Sequence, residues 1–164
     1  DGVTMEYTGY DGRLIKQTDV NMLAYPLGVV TDPQQTLRDI NYYFDRIDPN
    51  GPAMSNAIIA VLHARLGDPE TAFKVFKKSY TDKLRPPFGV LSENANNSRV
   101  SFATGLGGIL QSVIFGFAGV DITENGIVQL PTRLPSHWKS LTVTGVGVDK
   151  QTFRVENPDY KTTK

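Results

Sequence analysis

Glu93 has the most suggestive setting of any acidic residue in this sequence. It lies between Ser92 and Asn94, in a polar loop that runs from about residue 92 to residue 99. An uncharged helix is predicted to follow over residues 102–117, and its amino end would provide an apolar wall and a positive dipole. A carboxylate placed there could stay ionised and face a pocket, as a general base must. On residue type alone, an ordinary exposed loop acid is the simpler interpretation.

Two other segments offer polar contacts. Lys16 and Gln17, with Asp19 two residues on, carry several hydrogen-bond donors that suit a hydroxylated ligand, although a solvated helix start is the commoner explanation. Residues 104–108 (TGLGG) open the last predicted helix, where glycines let backbone amides approach an anion or a sugar hydroxyl. They are not a dinucleotide fingerprint, because Leu110 stands where the third glycine belongs. Close packing between helices is the alternative explanation of these glycines.

Three further residue patterns are interpreted without assigning them a role in chemistry. His63 lies between apolar neighbours on a predicted helix and is interpreted as a structural or surface residue. Trp138 is expected to anchor the carboxy-terminal β segment in the core rather than to stack on a sugar. The pattern at residues 96–98 (NNS) matches a glycosylation acceptor, which is common by chance.

The composition argues against several classes of function. The chain of 164 residues has 17 basic and 17 acidic side chains, so it lacks the excess of positive charge that binds the phosphates of nucleic acid. It has no cysteine and two histidines, so we expect no metal site and no disulfide. Residues 101–120 are uncharged and reach transmembrane length, but they include five glycines, so we expect a buried helix and no membrane partner. Residues 1–6 do not look like a signal peptide and suggest a processed or partial chain.

The hydrophobic pattern predicts helices followed by short strands. Asp32-Pro33 and Asp68-Pro69 are helix starts, with an acceptor at the cap and proline in the first turn, and Gly67 ends the helix between them. The predicted helices cover about residues 33–47, 52–66, 69–80 and 102–117, and the second and third should pack as an antiparallel hairpin. Asn125-Gly126 predicts a β-hairpin turn, and residues 141–146 and 152–155 alternate as strands do. The fold class is therefore mainly α with a small antiparallel β segment.

Four stretches, taken in their order and spacing, resemble glycoside hydrolase family 65. They are residues 10–20 (YDGRLIKQTDV), 51–55 (GPAMS), 105–116 (GLGGILQSVIFG) and 130–141 (LPTRLPSHWKSL). That family contains disaccharide phosphorylases as well as hydrolases such as acid trehalases and a hydroxylysine-linked glucosidase. Its catalytic domain is an (α/α)6 toroid followed by a β-sandwich. The resemblance implies that residues 1–118 form the last toroid helices and that residues 119–164 begin the sandwich.

The resemblance also implies roles for individual residues. Lys16 and Gln17 match the family's Lys-Gln pair, which binds glucose in the subsite before the scissile bond. Ser92-Glu93-Asn94 matches the hydrolase branch, in which a glutamate of this loop is the general base of an inverting mechanism. Ser92, Thr104 and Gly105 are expected to help bind the substrate. The family's general acid precedes the Lys-Gln pair by far more than 15 residues, so we expect the rest of the catalytic domain to supply it. No cofactor is expected.

Two alternatives stay open at this point. A phosphorylase of the same family would need an anion site near Ser92 and residues 104–108, where Glu93 would repel phosphate. A non-catalytic structural or carbohydrate-binding fragment would be favoured if Glu93 pointed into solvent far from Lys16 and Gln17. The identity of the α-glucoside is not fixed by these residues. The resemblance favours a secreted, periplasmic or lysosome- or vacuole-like location without establishing one.

Overall fold

A computed structural model describes residues 2–96 and 100–160, so part of the pattern at residues 96–98 lies outside the described residues. The helices are α1 (Pro33–Phe44), α2 (Met54–Arg65), α3 (Pro69–Lys78) and α4 (Ala103–Gln111), with a 3-10 turn at Val20–Leu23 and a π-helix at Ser112–Phe117 that continues α4. The strands are β1 (Leu84–Arg85), β2 (Val90–Leu91), β3 (Val120–Thr123), β4 (Gly126–Gln129), β5 (Ser140–Val146) and β6 (Gln151–Glu156). Across the described ranges, they pair as three antiparallel two-stranded sheets: β1–β2, β3–β4 and β5–β6. The expected fold class, mainly α with a small antiparallel β segment, is confirmed at this level.

The helix ends follow the local chemistry of the chain. The Asp32 carboxylate accepts hydrogen bonds from two amides of the first turn of α1, and the Asp68 carboxylate accepts one from the Thr71 amide. Gly67 takes a φ of 81° after α2, a conformation that glycine adopts without strain. These three predictions are confirmed. The prediction that the first helix reaches Ile47 was wrong, because Ile47 pairs instead with Ile15 in an isolated parallel bridge.

The core surrounds α2, which is apolar on almost every side. Its buried residues pack against α3, the π-helix and the chain after β4. The buried apolar residues of α2 are Ala57, Ile59, Ala60, Val61, Leu62 and Ala64. An all-round apolar helix is typical of a central element that other elements cover, so α2 is the scaffold on which the other helices are positioned.

Small residues let the helix formed by α4 and the π-helix approach α2 closely. A Cβ added at Gly108 would lie 2.9 Å from the Ala57 Cβ, and one added at Gly116 would lie 3.2 Å from the Val61 Cα. The Ser112 hydroxyl, between the two glycines, lies 3.0 Å from the Ala57 carbonyl oxygen. Close helix packing therefore explains Gly108 and Gly116.

The β segment is attached to the helices through an aromatic cluster. The Trp138 ring lies 5.0 Å from the Phe117 ring and 5.6 Å from the Phe73 ring, measured between centroids. The expectation that Trp138 anchors this segment is confirmed, as is the hairpin turn at Asn125-Gly126. The β1–β2 hairpin was not predicted, because residues 85–89 (RPPFG) indicated only a break. In the described ranges, no helix is long and apolar enough to cross a membrane.

Candidate functional site

The loop that carries Glu93 is closed at its base by main-chain hydrogen bonds. The Ser92 amide donates to the Lys83 carbonyl oxygen at 2.9 Å, and Ser92 also pairs with Val100 in an antiparallel bridge. The Phe102 amide, at the cap of α4, donates to the Leu91 carbonyl oxygen at 3.1 Å. The two ends of the loop are therefore held together next to the cap of α4, which limits the positions that Glu93 can reach.

Arg85 holds the same loop from the side. Its guanidinium donates to the carbonyl oxygens of Asn94 at 2.8 Å and Ala95 at 2.5 Å. The Ser92 side chain is fully buried, and its hydroxyl lies 2.7 Å from the Asn94 carbonyl oxygen and 3.0 Å from that of Lys83. Ser92 was predicted as a substrate contact, but the structure places its hydroxyl among main-chain carbonyls inside the protein.

Lys16 is positioned by the turn that follows α1. Main-chain hydrogen bonds of 2.8 Å join Ile15 to both Arg46 and Asp48. A Cβ added at Gly51 would lie 2.8 Å from the Lys16 carbonyl oxygen, so only glycine lets the chain pass this close. Two residues further along from Lys16, the Thr18 amide donates to the Ser55 hydroxyl at the start of α2, at 3.2 Å. The segment with Lys16 and Gln17 is thus attached at one end to the turn after α1 and at the other end to the start of α2.

The structure brings Lys16 and Glu93 together across 76 residues between them in the sequence. The Lys16 Nζ lies 3.7 Å from Glu93 Oε1. Glu93 exposes 22% of its side-chain surface and Lys16 exposes 70%. The contact therefore joins a carboxylate that is mostly withdrawn from solvent to a largely exposed ammonium group. Glu93 therefore does not point into bulk solvent away from Lys16.

A cleft of 250 Å³ opens where the segment after Lys16 meets α2 and α4. Its lining combines apolar side chains with amide, hydroxyl and carboxylate groups, a combination typical of small-molecule sites. The lining residues are Gln17, Thr18, Asp19, Met22, Pro26, Met54, Ser55, Ile58, Thr104, Gly108 and Gln111. Such a lining suits a hydroxylated ring, since apolar side chains can cover its face while polar groups bind its edge.

The predicted site residues divide into three groups in the structure. Gln17 and Thr104 line the cleft, whereas Lys16 and Glu93 are not among its lining residues. Lys16 directly precedes Gln17 in the chain, so the ion pair and the cleft are linked through neighbouring residues. Gly105 is buried, and a Cβ there would lie 2.8 Å from the Phe102 ring and 2.9 Å from the Leu91 side chain. Gly105 therefore packs beneath the base of the Glu93 loop.

Sequence reasoning missed several cleft residues, of which Gln111 is the most informative. Its side-chain oxygen accepts a hydrogen bond from the Tyr25 hydroxyl at 2.9 Å. Thr104, Gly108 and Gln111 stand at positions i, i+4 and i+7 of α4, so they share one face of the helix. That spacing was a signal available in the sequence. The cleft residues of α2, namely Met54, Ser55 and Ile58, became recognisable only when the packing was known.

His63 lies away from this cleft and is buried in α2. Its Nδ1 atom is 3.9 Å from the Asp68 carboxylate, and burial lowers the pKa of the imidazole although the carboxylate acts in the opposite direction. This agrees with the interpretation of His63 as a structural residue. Over residues 2–96 and 100–160, no three His, Asp or Glu side chains come together as metal ligands would.

Several known proteins are similar in sequence to this chain. A kojibiose hydrolase from Mucilaginibacter mallensis is 50% identical over 157 residues, which cover 95% of this chain. A protein-glucosylgalactosylhydroxylysine glucosidase from Dictyostelium discoideum is 35% identical over 92% of this chain. A periplasmic acid trehalase from Saccharomyces cerevisiae is 32% identical over 72% of it. This chain is homologous to one portion of the proteins of glycoside hydrolase family 65. The resemblance stated from its motifs is thereby confirmed.

The chain spans only a fraction of these family 65 proteins: 23% of the kojibiose hydrolase and 21% of the glucosidase. Among solved structures, a putative kojibiose phosphorylase from the human microbiome superimposes with a TM-score of 0.66 at 20% identity, over 87% of this chain and 19% of that protein. That likeness shows a shared fold. No family model matches the chain.

Proposed function

We propose that this chain is part of an inverting glycoside hydrolase that cleaves an α-glucoside, with Glu93 as the general base. The observation that carries this proposal is the 3.7 Å approach of Lys16 to Glu93, together with a cleft lined by Gln17, the residue after Lys16, and by Thr104. Two residues predicted from separate motifs, Lys16 and Glu93, are thus in contact, and a third predicted residue, Gln17, follows Lys16 into the cleft. The names of the relatives, which are hydrolases of glucose-containing substrates, agree with it.

The proposed reaction uses water as the nucleophile. Glu93 takes a proton from a water molecule as the water oxygen bonds to the anomeric carbon, while the bond to the leaving-group oxygen breaks. A second carboxyl group gives its proton to that oxygen, and inverting enzymes place the two carboxyl groups about 6.5–9.5 Å apart. In our proposal this general acid lies outside the chain, in the rest of a protein about four times as long, as the coverage of the kojibiose hydrolase relative suggests. The sugar would leave as the β anomer.

The architecture of the whole protein is part of the same proposal. Residues 1–118 would supply the last helices of an (α/α)6 toroid, and residues 119–164 would begin a β-sandwich. Lys16, Gln17 and Thr104 would contact the glucosyl unit directly. Ser92 and Gly105, which are buried at the base of the Glu93 loop, would hold that loop in place. Two acid trehalase relatives are named periplasmic or secreted, so we propose a location outside the cytoplasm.

The decisive experiment is Glu93→Gln in the full-length protein that contains this chain, with kojibiose as the first substrate because two relatives are named for it. The amide keeps the size of the side chain but cannot accept the proton from water. We expect kcat to fall about a thousandfold, within the 10²–10⁴-fold range typical of a general base. Proton NMR of the first product should show the β anomer of glucose. Glu124→Gln, in the exposed turn between β3 and β4, is the matched control and should keep full activity.

Three results would contradict the proposal, each in a different way. Unchanged turnover in the Glu93→Gln protein would remove the base role. Cleavage that requires inorganic phosphate would show a phosphorylase, for which the negative charge of Glu93 is unfavourable. A full-length protein that cleaves no α-glucoside would favour the non-catalytic interpretation.

A further inference from the structure

The side-chain amide of Gln111 is held in one orientation by Tyr25. The Tyr25 hydroxyl lies 2.9 Å from Gln111 Oε1, and a hydroxyl that approaches an amide oxygen donates its proton to it. Burial raises the pKa of Tyr25 to about 12, so the hydroxyl keeps its proton at any physiological pH. The amide oxygen of Gln111 is therefore occupied from within the protein.

Tyr25 is itself fixed by its surroundings. It is 6% exposed, and the Arg65 guanidinium carbon lies 4.6 Å from the centre of its ring. Arg65 is held in turn by a 2.9 Å ion pair with Asp121 and by a hydrogen bond to the Phe115 carbonyl oxygen at 3.1 Å. A chain of contacts from the start of β3 to the cleft thus sets the direction of one amide group. Such support for a binding group reduces the entropy lost when a ligand is bound.

The amino group of Gln111 is the part of the amide left to face the cleft. Gln111 lines the cleft, and within the described part of the chain the structure records no hydrogen bond donated by its Nε2 atom. Thr104 and Gln111 are seven residues apart on one face of α4, which corresponds to about 10 Å along the helix axis. Thr104 lies near the loop that carries Glu93, so Gln111 meets a ligand at a point remote from that carboxylate.

We propose that Gln111 is a specificity-determining residue of this site, whose Nε2 group donates a hydrogen bond to a hydroxyl of the bound sugar remote from the cleaved bond. The inference rests on the proposed glucosidase function and adds a residue to it. A donor fixed by Tyr25 binds a sugar that has an oxygen at this point and rejects one that lacks it, because the desolvated amide would then stay unpaired. Gln111 would thus select among glucosides without taking part in the proton transfers.

The test uses the full-length protein and a set of monodeoxy glucoses, with glucose as the reference ligand in isothermal titration calorimetry. For the wild-type protein, removal of one particular hydroxyl should weaken binding about tenfold, which is the effect of one well-formed hydrogen bond. Gln111→Glu keeps the side-chain size and still accepts the proton of Tyr25, but it has no amide donor. This variant should bind glucose about tenfold more weakly and should no longer distinguish glucose from that deoxy sugar. Gln151→Glu, on the exposed start of β6, is the matched control and should behave as the wild type.

The outcomes separate this inference from the proposed function. If the wild type binds glucose and the Gln111→Glu protein has the same affinity and the same deoxy-sugar profile, the role of Gln111 is refuted while Glu93 is untouched. If the wild type binds no glucose and cleaves no α-glucoside, the proposed function itself fails. Tyr25→Phe provides an independent check, because it frees the amide to rotate while leaving its donor. We expect it to weaken glucose binding severalfold, and unchanged binding would contradict the positioning role of Tyr25.

Discussion

The contact between α2 and α4 allows a sharp prediction, because two neighbouring glycines differ in their surroundings. A Cβ added at Gly108 would lie 2.9 Å from the Ala57 Cβ, whereas one added at Gly107 would have no atom within 4 Å. Both glycines lie inside α4. Gly107→Ala and Gly108→Ala therefore make the same chemical change, one into open space and the other into a packed interface.

The magnitudes follow from this difference. Replacing a glycine by alanine inside a helix stabilises it by about 1 kcal/mol, and both variants gain this term. Gly108→Ala also forces two rigid carbon atoms apart, and overpacking of this kind costs about 1–3 kcal/mol. We expect the Gly107→Ala protein to be more stable than the wild type, and the Gly108→Ala protein to be about 1–3 kcal/mol less stable than the Gly107→Ala protein.

The assay is the apparent melting temperature of the full-length protein, measured by calorimetry for each variant. Ala57→Gly removes the opposing methyl group and should restore stability in the Gly108→Ala background. Two residues in direct contact typically show a coupling energy of about 0.5–3 kcal/mol. Ala57→Gly alone should be destabilising, because it introduces glycine into the middle of α2. Equal melting temperatures for the Gly107→Ala and Gly108→Ala proteins, or no rescue by Ala57→Gly, would refute the close packing of these helices.

Two further predictions concern charged groups. Asp121→Asn removes the charge that holds the partly buried Arg65, and it should lower the free energy of unfolding in urea by about 1.5–3 kcal/mol. Glu156→Gln, in an exposed ion pair, should lower it by about 0–1 kcal/mol. Equal losses for the two variants would contradict the positioning of Arg65. Burial lowers the pKa of His63 in the folded protein below the unfolded value of about 6.5. The contribution of His63 to stability is therefore fully present above pH 6.5, and it is lost as the pH falls through the folded pKa. Between pH 7.5 and 5 the wild type should therefore lose more stability than His63→Gln, and parallel losses would exclude His63 as the cause.

Much of the helical part could be predicted, because its signals are local. Asp32, Asp68 and Gly67 act within a single turn of chain, so their residue types determine the helix ends they form. The first helix was predicted too long because the apolar period continues to Ile47, whose backbone pairs with Ile15 at a distance of 32 residues. The β1–β2 hairpin was missed for a related reason, since two-residue strands have no period to detect.

The candidate site shows the same difference between local signals, which the sequence carries, and contacts between distant residues, which it does not. The proximity of Lys16 and Glu93 could be inferred only from the family resemblance, since no local pattern connects residues so far apart in sequence. The residue types around Gly105 left two explanations open, and the side chains of Phe102 and Leu91 beside it support packing. The contact of Gln111 with Tyr25 could not be inferred from a local pattern, because the two residues lie 86 positions apart. Contacts of this length depend on the packing of α4 on α2, which the sequence pattern indicates but does not fix.

The close approach of α4 to α2 connects the stability of this fold to its proposed chemistry. Gly108 lines the cleft and also contacts Ala57, so the width of the cleft is set by the same contact that joins the helices. A bulkier residue at Gly108 would shift α4, and with it Thr104 and Gln111, relative to Ser55 on α2. Groups that must reach one sugar from two helices need this separation to be short and constant, because a misplacement of about 1 Å can cost about a hundredfold in rate. Glycine at this position is therefore as much a requirement of the cleft as of the core.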